Sequence, residues 1–288
     1  MSARNNQDRL GNPEISNPGP PSPPVMSENT EDVFSFPTPT EFVELPSRGL
    51  FYPEGHPLHN QEVVEIRYMT AKDEDILTSQ SLMKKGLALD KLIQNVLIDK
   101  SVRPSDLLIG DKNAILVASR ITGYGSNYDV DLSCPSCFTR SSHSFDLEEV
   151  SRINYGDKFD ENEATLTDRG TYLVKLPLTK AVVEAKMLTG ADETKLMKLS
   201  EKKKKLNLPE SSLTDQFRSI IVAVGNEKSD SVRHSFVERL PARDARYLRN
   251  VYTKINPYLD LISEFECPEC EHQEEVNVPI TVQFFWPK

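Results

Sequence analysis

The chain has 288 residues, 38% of them hydrophobic and 27% charged, with a formal net charge of −10. That length holds one large domain or two modest ones, and no apolar run approaches the ~20 residues that a helical membrane span requires. The acidic balance disfavours a broad nucleic-acid surface, which needs clustered Lys and Arg to displace counterions.

Residues 1–33 carry Pro13, Pro18, Pro20, Pro21, Pro23 and Pro24 among Ser, Asn and Gly. Such a stretch buries too little apolar surface to offset its ordering entropy, so a disordered leader is expected. It opens without an apolar signal segment, which points to a reducing compartment. Folded structure is expected to start between Phe34 and Phe42, with residues 34–126 forming a strand, loop and helix region. In Leu45-Pro-Ser-Arg-Gly-Leu-Phe-Tyr-Pro53 the turn formers leave Leu50, Phe51 and Tyr52 to be pinned against a core or a partner. Val63 to Tyr68 alternates as a strand. Thr70-Ala-Lys-Asp73 is a capping box that opens a helix, with Gly86 as its stop. A second helix is expected from Leu87 to about Asp99, with Leu89, Leu92, Ile93, Val96 and Leu97 at helical spacing. A third follows from Lys112 to Thr122, led by Asp111 and closed by Gly123.

The four cysteines form two pairs of one pattern, Cys134-Pro-Ser-Cys137 and Cys267-Pro-Glu-Cys270. Each is a knuckle that aims two thiolates at one tetrahedral metal, and four thiolates without an open position read as structural zinc. Residues 138–266 separate the pairs, whereas a compact ribbon needs about 15–20. If the pairs share a metal, the zinc clasps distant parts of the chain. Two disulfides or unliganded thiols are the alternatives, and a reducing compartment disfavours the disulfides. Tyr128, Val130 and Leu132 alternate before the first pair, and a short strand from Ser142 to Leu147 follows it. Leu261 to Phe265 precedes the second pair, and Val276, Val278 and Ile280 follow it. Residues 127–149 and 261–280 are therefore expected as two halves of a zinc-ribbon-like module. With four cysteines available, His143 and His272 are expected to face solvent. The second half carries six glutamates and no Lys or Arg, a surface that repels phosphate.

Residues 150–260 read as an inserted α+β region. A strand is expected from Thr171 to Leu178, then a helix from Lys180 to Leu188 capped by Thr179 and stopped by Gly190. A polar helix from Asp192 to Leu206 ends in Lys202 to Lys205, which reads as a solvated end that complements the helix dipole. Ile220 to Val224 reads as a strand, and Ser231 to Leu240 and Pro241 to Ile255 as helices. Arg243, Arg246 and Arg249 form one ridge on the last helix, expected to pair with nearby acids. Residues 281–288 form an aromatic tail whose Phe284, Phe285 and Trp286 are expected to dock on a partner.

Together these pieces define a pattern. It comprises the 45–53 loop, Met69-Thr-Ala-Lys-Asp-Glu-Asp-Ile-Leu77, Gly110-Asp-Lys-Asn-Ala-Ile-Leu116 running into Arg120-Ile-Thr-Gly-Tyr-Gly125, two Cys-Pro-x-Cys knuckles and a terminal Phe-Phe-Trp-Pro. Over residues 40–288 the pattern resembles the baseplate hub protein family of T-even-like contractile-tailed bacteriophages. The resemblance implies a hub component or assembly factor, found in the virion tail baseplate or in the host cytoplasm during assembly, with other baseplate hub or tail proteins as partners. It carries over no catalytic residues. The expected fold is α+β, mostly helical with small antiparallel sheets and a split four-cysteine zinc ribbon built from two distant hairpins. The expected function is non-enzymatic, since the chain shows no Gly-rich phosphate loop, His-Glu-x-x-His helix or Gly-x-Ser-x-Gly elbow. The alternative is a zinc-ribbon nucleic-acid binder using the lysine run or the arginine ridge.

Overall fold

A computed structural model describes residues 38–209, 211–278 and 282–285. The Pro-rich leader, Ile280 and Trp286 lie outside the described residues. All sheet pairing is antiparallel, and helix holds more residues than strand, an α+β fold.

Strands β1 (Thr40–Glu44) and β2 (Val63–Arg67) pair from Thr40↔Arg67 to Glu44↔Val63. Val43, Val64 and Ile66 turn inward from this ribbon. The expected capping box is present: Thr70 and Asp73 exchange side-chain and backbone bonds at the start of α1 (Ala71–Thr78). The helix does not continue to Gly86. Thr78 Oγ1 donates back to Glu74 O at 2.9 Å, a bond that competes with the helical ladder, and a separate α2 (Gln80–Lys84) follows. Helix α3 (Ala88–Val96) buries Leu92, Ile93 and Val96, with Leu97 buried just past its end; Leu89 is exposed.

Helix α4 (Ile109–Tyr124) is the axis of the fold and starts earlier than the sequence suggests. It buries Gly110, Ala114, Ile115, Leu116, Val117 and Arg120, so apolar contact surrounds most of its circumference. At Gly110 a Cβ would lie 2.3 Å from Pro257 O, so only glycine lets the following strand cross this close. Gly123 lies within the helix, and Gly125, at φ 83°, ends it.

Next come the hairpin β3 (Asn127–Ser133) and β4 (Arg140–Asp146), the one-turn α5 (Leu147–Val150), and β5 (Ser151–Asn154). Strands β6 (Thr165–Leu166), β7 (Thr171–Lys175), β8 (Val182–Lys186) and β9 (Ile221–Val224) make a four-stranded sheet in that order. Helices α6 (Gly190–Lys205) and α7 (Ser212–Ile220) lie between β8 and β9 in sequence, and α8 (Asp230–Arg239) and α9 (Ala242–Ile255) follow. Strand β10 (Tyr258–Glu266) then pairs with both β5 and β11 (Gln273–Asn277), and a 3-10 turn (Val282–Phe285) follows.

The helix expected over residues 180–188 is strand β8 instead. The Thr179 hydroxyl caps no helix; with the Leu178 and Thr179 N–H groups it donates to Asp244 of α9 at 2.7–2.9 Å. That carboxylate fixes a tight turn with Lys180 at φ 58°, and Val183 and Ala185 then enter the core from a strand.

The pairing of β5 with β10, from Ser151↔Leu261 to Asn154↔Tyr258, returns the chain to where it left. One apolar core runs from Val43 to Phe285 and takes in Tyr172, Val183, Ile221 and Leu248 of the 150–260 region. Residues Thr38–Lys288 accordingly form one compact unit.

Candidate metal centre and the locks around it

The two knuckles meet. Cys134 Sγ lies 3.7 Å from Cys270 Sγ, Cys137 Sγ lies 3.6 Å from Cys267 Sγ, and all four sulfurs fall within 4.8 Å of one another. A tetrahedral ion with metal–sulfur bonds of about 2.3 Å has sulfur–sulfur edges of about 3.8 Å. Four free thiols at this spacing therefore fit a divalent ion.

The knuckles are built alike. The Cys134 N–H donates to Thr139 O and the Cys267 N–H to His272 O, both at 2.9 Å. The Phe138 N–H donates back to Cys134 O, and the Glu271 N–H to Cys267 O. Phe138 and Glu271 both sit in the left-handed region, at φ 61° and 55°. The Ser136 N–H also donates to Cys134 Sγ at 3.4 Å.

Two of the thiols differ in acidity. Thr139, bonding through both side chain and backbone, draws Cys137 down to about 6. Cys270 is pushed up to about 12: the His272 backbone bond lowers it, while desolvation and the neighbouring cysteines raise it more. Four sulfurs this close resist becoming four thiolates together, and a cation among them removes that conflict.

Behind the sulfurs, Cys134, Cys267 and Phe265 form a small apolar cluster, flanked by Leu132 and Val276. His143, expected in solvent, lies half-buried with its ring 4.7 Å from that of Phe265, and Ser141 Oγ is 2.8 Å from its Nε2. His272 is half-buried as well, with Nε2 3.4 Å from Glu274 Oε2. Neither joins the sulfur group, which consists of the four cysteines.

Of the residues expected on a partner surface, Tyr52, Phe284 and Phe285 are buried in their own chain. Tyr52 Oη donates to Asp111 Oδ2 at 2.7 Å and accepts from the Leu108 N–H at 3.1 Å. Ser47 donates to the same carboxylate through N–H at 2.9 Å and Oγ at 2.6 Å. Asp111, read from sequence as the leader of a helix, thus buckles the 45–53 loop to α4. Burial pushes its pKa above the usual carboxylate range, against the bonds from Ser47 and Tyr52, which lower it. Leu50 remains 47% exposed and Phe51 half-buried.

Phe284 packs edge-on against Tyr128, with centroids 5.2 Å apart, and Phe285 packs edge-on against Phe284. Arg120, fully buried, donates to Phe284 O and Gly125 O at 2.6 Å and to Asn127 O at 2.8 Å. These carbonyls satisfy the guanidinium at the negative end of the α4 dipole. The aromatic tail is therefore an internal anchor as far as Phe285.

A cleft of about 620 Å³ lies between the 45–53 loop and the start of α6. Its cations face carboxylates: Arg103 with Asp106, Arg169 with Glu184, Lys186 with Asp192. Lys203 of the tetralysine run pairs with Asp215, while Arg243, Arg246 and Arg249 are exposed and make no ion pair among the described residues. Among the described residues, no helix is long and apolar enough to cross a membrane.

No curated protein and no solved structure matches this chain. The family model for the T4 bacteriophage base plate protein matches residues 41–286. That span holds the buckled loop, α4, both knuckles and the anchored tail, and the chain belongs to the T4 bacteriophage base plate protein family.

Proposed function

We propose that this protein is a non-enzymatic structural or assembly component of the baseplate hub, with one structural zinc on Cys134, Cys137, Cys267 and Cys270 joining its two knuckles. The family match over residues 41–286 carries this reading. The zinc rests on the donor set: four sulfurs at tetrahedral spacing, two of them buried, leave no open position for water. Bound there, zinc clasps the β3–β4 and β10–β11 hairpins into a ribbon-like module, above the β5–β10 pairing that closes the same excursion nearer the core. Leu50, Phe51 and Trp286 are the residues of the loop and tail that contact neighbouring tail proteins. Tyr52, Phe284 and Phe285 act from inside by fixing the loop and tail. The nucleic-acid alternative is opposed by the glutamates that line the second hairpin.

Counting this protein's peptides in purified phage particles and in hub intermediates from infected cells tests the proposal. A fixed copy number per particle makes it a subunit; presence in intermediates alone makes it an assembly factor that departs. Absence from both would overturn the reading.

A further inference from the structure

Strand β1 is paired along one edge only. The Leu45 N–H donates to Glu62 O and the Tyr68 N–H to Pro39 O. In that register Glu41↔Ile66 and Val43↔Val64 are the hydrogen-bonded pairs of the ribbon. The N–H and C=O groups of Thr40, Phe42 and Glu44 therefore point away from β2. Among the described residues these groups have no backbone partner, and all three residues are exposed. The far edge of β2 differs: Leu97 bridges to Ile66, and the Ile98 N–H donates to Glu65 O at 3.1 Å. An open edge in regular register is a template for a further strand, and β1 has no lysine, proline or bulge to guard it.

The side chains beside this edge are apolar and acidic. Phe42, directly across from Glu65, is 66% exposed. Val63, across from Glu44, is exposed on the same face, and so is Ile98, next along from the buried Leu97. Around them Glu41, Glu44, Glu62 and Glu65 make no ion pair among the described residues. Arg67, the one basic residue in the two strands, is held by Asp73. Nearby, the Tyr155 hydroxyl donates to Glu44, and Arg48 stacks on the Tyr155 ring.

We infer that the open edge of β1 receives an extended strand from a partner protein, with apolar side chains beside Phe42 and lysine or arginine facing the glutamates. The outward backbone groups of Thr40, Phe42 and Glu44 supply the pairing. Phe42, Val63 and Ile98 bury the apolar side chains, and the glutamates select for positive charge. A second copy joined through β1 would bring two sets of these glutamates together, and like charges across a ribbon weaken it. The inference goes beyond the hub assignment: a peptide probe reads it, particle content reads the other, and either can fail alone.

The test follows backbone amides of the full chain by NMR. The probe is a capped seven-residue peptide alternating lysine with valine, and the control carries glutamate for lysine. In the free chain the Glu41 and Val43 amides are expected to exchange slowly, and those of Thr40, Phe42 and Glu44 fast. The lysine peptide at about 1 mM is expected to slow exchange at Phe42 and Glu44 by about tenfold, and the glutamate peptide to leave it unchanged. No slowing by the lysine peptide would overturn the inference. Phe42→Pro removes an outward N–H and leaves the bonds to β2 in place. It is expected to raise the dissociation constant by about thirtyfold at an unchanged melting temperature, and Phe42→Ala by only about fivefold. Equal losses in the two variants would make the site an apolar patch and overturn strand addition. Glu41→Lys combined with Glu65→Lys is expected to shift the preference to the glutamate peptide; a retained preference for lysine would remove the charge argument. Self-association of the unchanged chain in sedimentation, lost in Phe42→Pro, would make a second copy the occupant and overturn the inference as well.

Discussion

The sulfur module and the α4 core are stabilised by different physics. Around the sulfurs the apolar cluster is small, comprising Cys134, Cys267 and Phe265 with Leu132 and Val276 at its edge. Around α4 the core draws on residues from Val43 to Phe285, and three of its buried charges are matched: Asp111 with Ser47 and Tyr52, Arg120 with three carbonyls, Asp244 with the 178–179 turn. On the proposed zinc reading, a module that buries so little apolar surface leans on its bound ion, whereas the core rests on its apolar packing and loses stability when a buried charge is left unpaired. The ribbon should therefore open alone, and the core should fail as a whole.

The sharpest way to break that contrast is Arg120→Ala. It leaves three carbonyls without their donor and frees the tail, so a loss of about 3–5 kcal/mol is expected, read by chemical denaturation. A variant within about 1 kcal/mol of the unchanged chain would show that Phe284 and Phe285 hold the tail unaided.

A smaller, pH-dependent effect belongs to Asp73. Burial alone would raise this carboxyl, but two bonds from Arg67 and others from Thr70 and Asn95 hold it down at about 2. Its folded value lies below its unfolded one, so its contribution, on the order of 2 kcal/mol, is complete above about pH 4. It is lost as pH falls towards 2. Asp73→Asn is expected to flatten that stretch of the acid-denaturation profile; an unchanged profile would remove Asp73 from the account of acid stability.

The smallest effect on global stability is expected from Cys267→Ser. Because β5–β10 pairing still closes the excursion, the main melting transition should move by no more than about 4 °C. Amide exchange should rise over residues 127–146 and 262–277 and stay slow in α4. Faster exchange throughout α4 would mean that clasp and core are one cooperative unit.

Local signals carried much of this fold. Alternation marked the strand before the first knuckle, the Thr70–Asp73 box marked α1, and Pro241 marked the start of α9; after the second knuckle the strand ends at Asn277, short of Val278. Spacing also singled out the four cysteines, whose convergence the structure then supplies. What was not legible depends on distant partners. Ser47 meets Asp111 across 64 positions and Arg120 meets the tail carbonyl across 164, separations at which no periodicity points from one to the other. The same holds for Asp244, which turns Thr179 from an apparent helix cap into a hairpin corner. Aromatic residues in a turn and at a tail looked like partner anchors, and the long-range polar bonds to Asp111 and from Arg120 show Tyr52 and Phe284 as internal ones. The motifs that carried the family resemblance are largely these locks.

Native mass spectrometry of the full chain, purified without chelator or added metal, tests the clasp most directly. The expected mass is that of the chain plus one zinc ion, with the zinc lost in Cys267→Ser. The bare chain mass, or a mass lowered by the hydrogens of two disulfides, would contradict a shared structural metal.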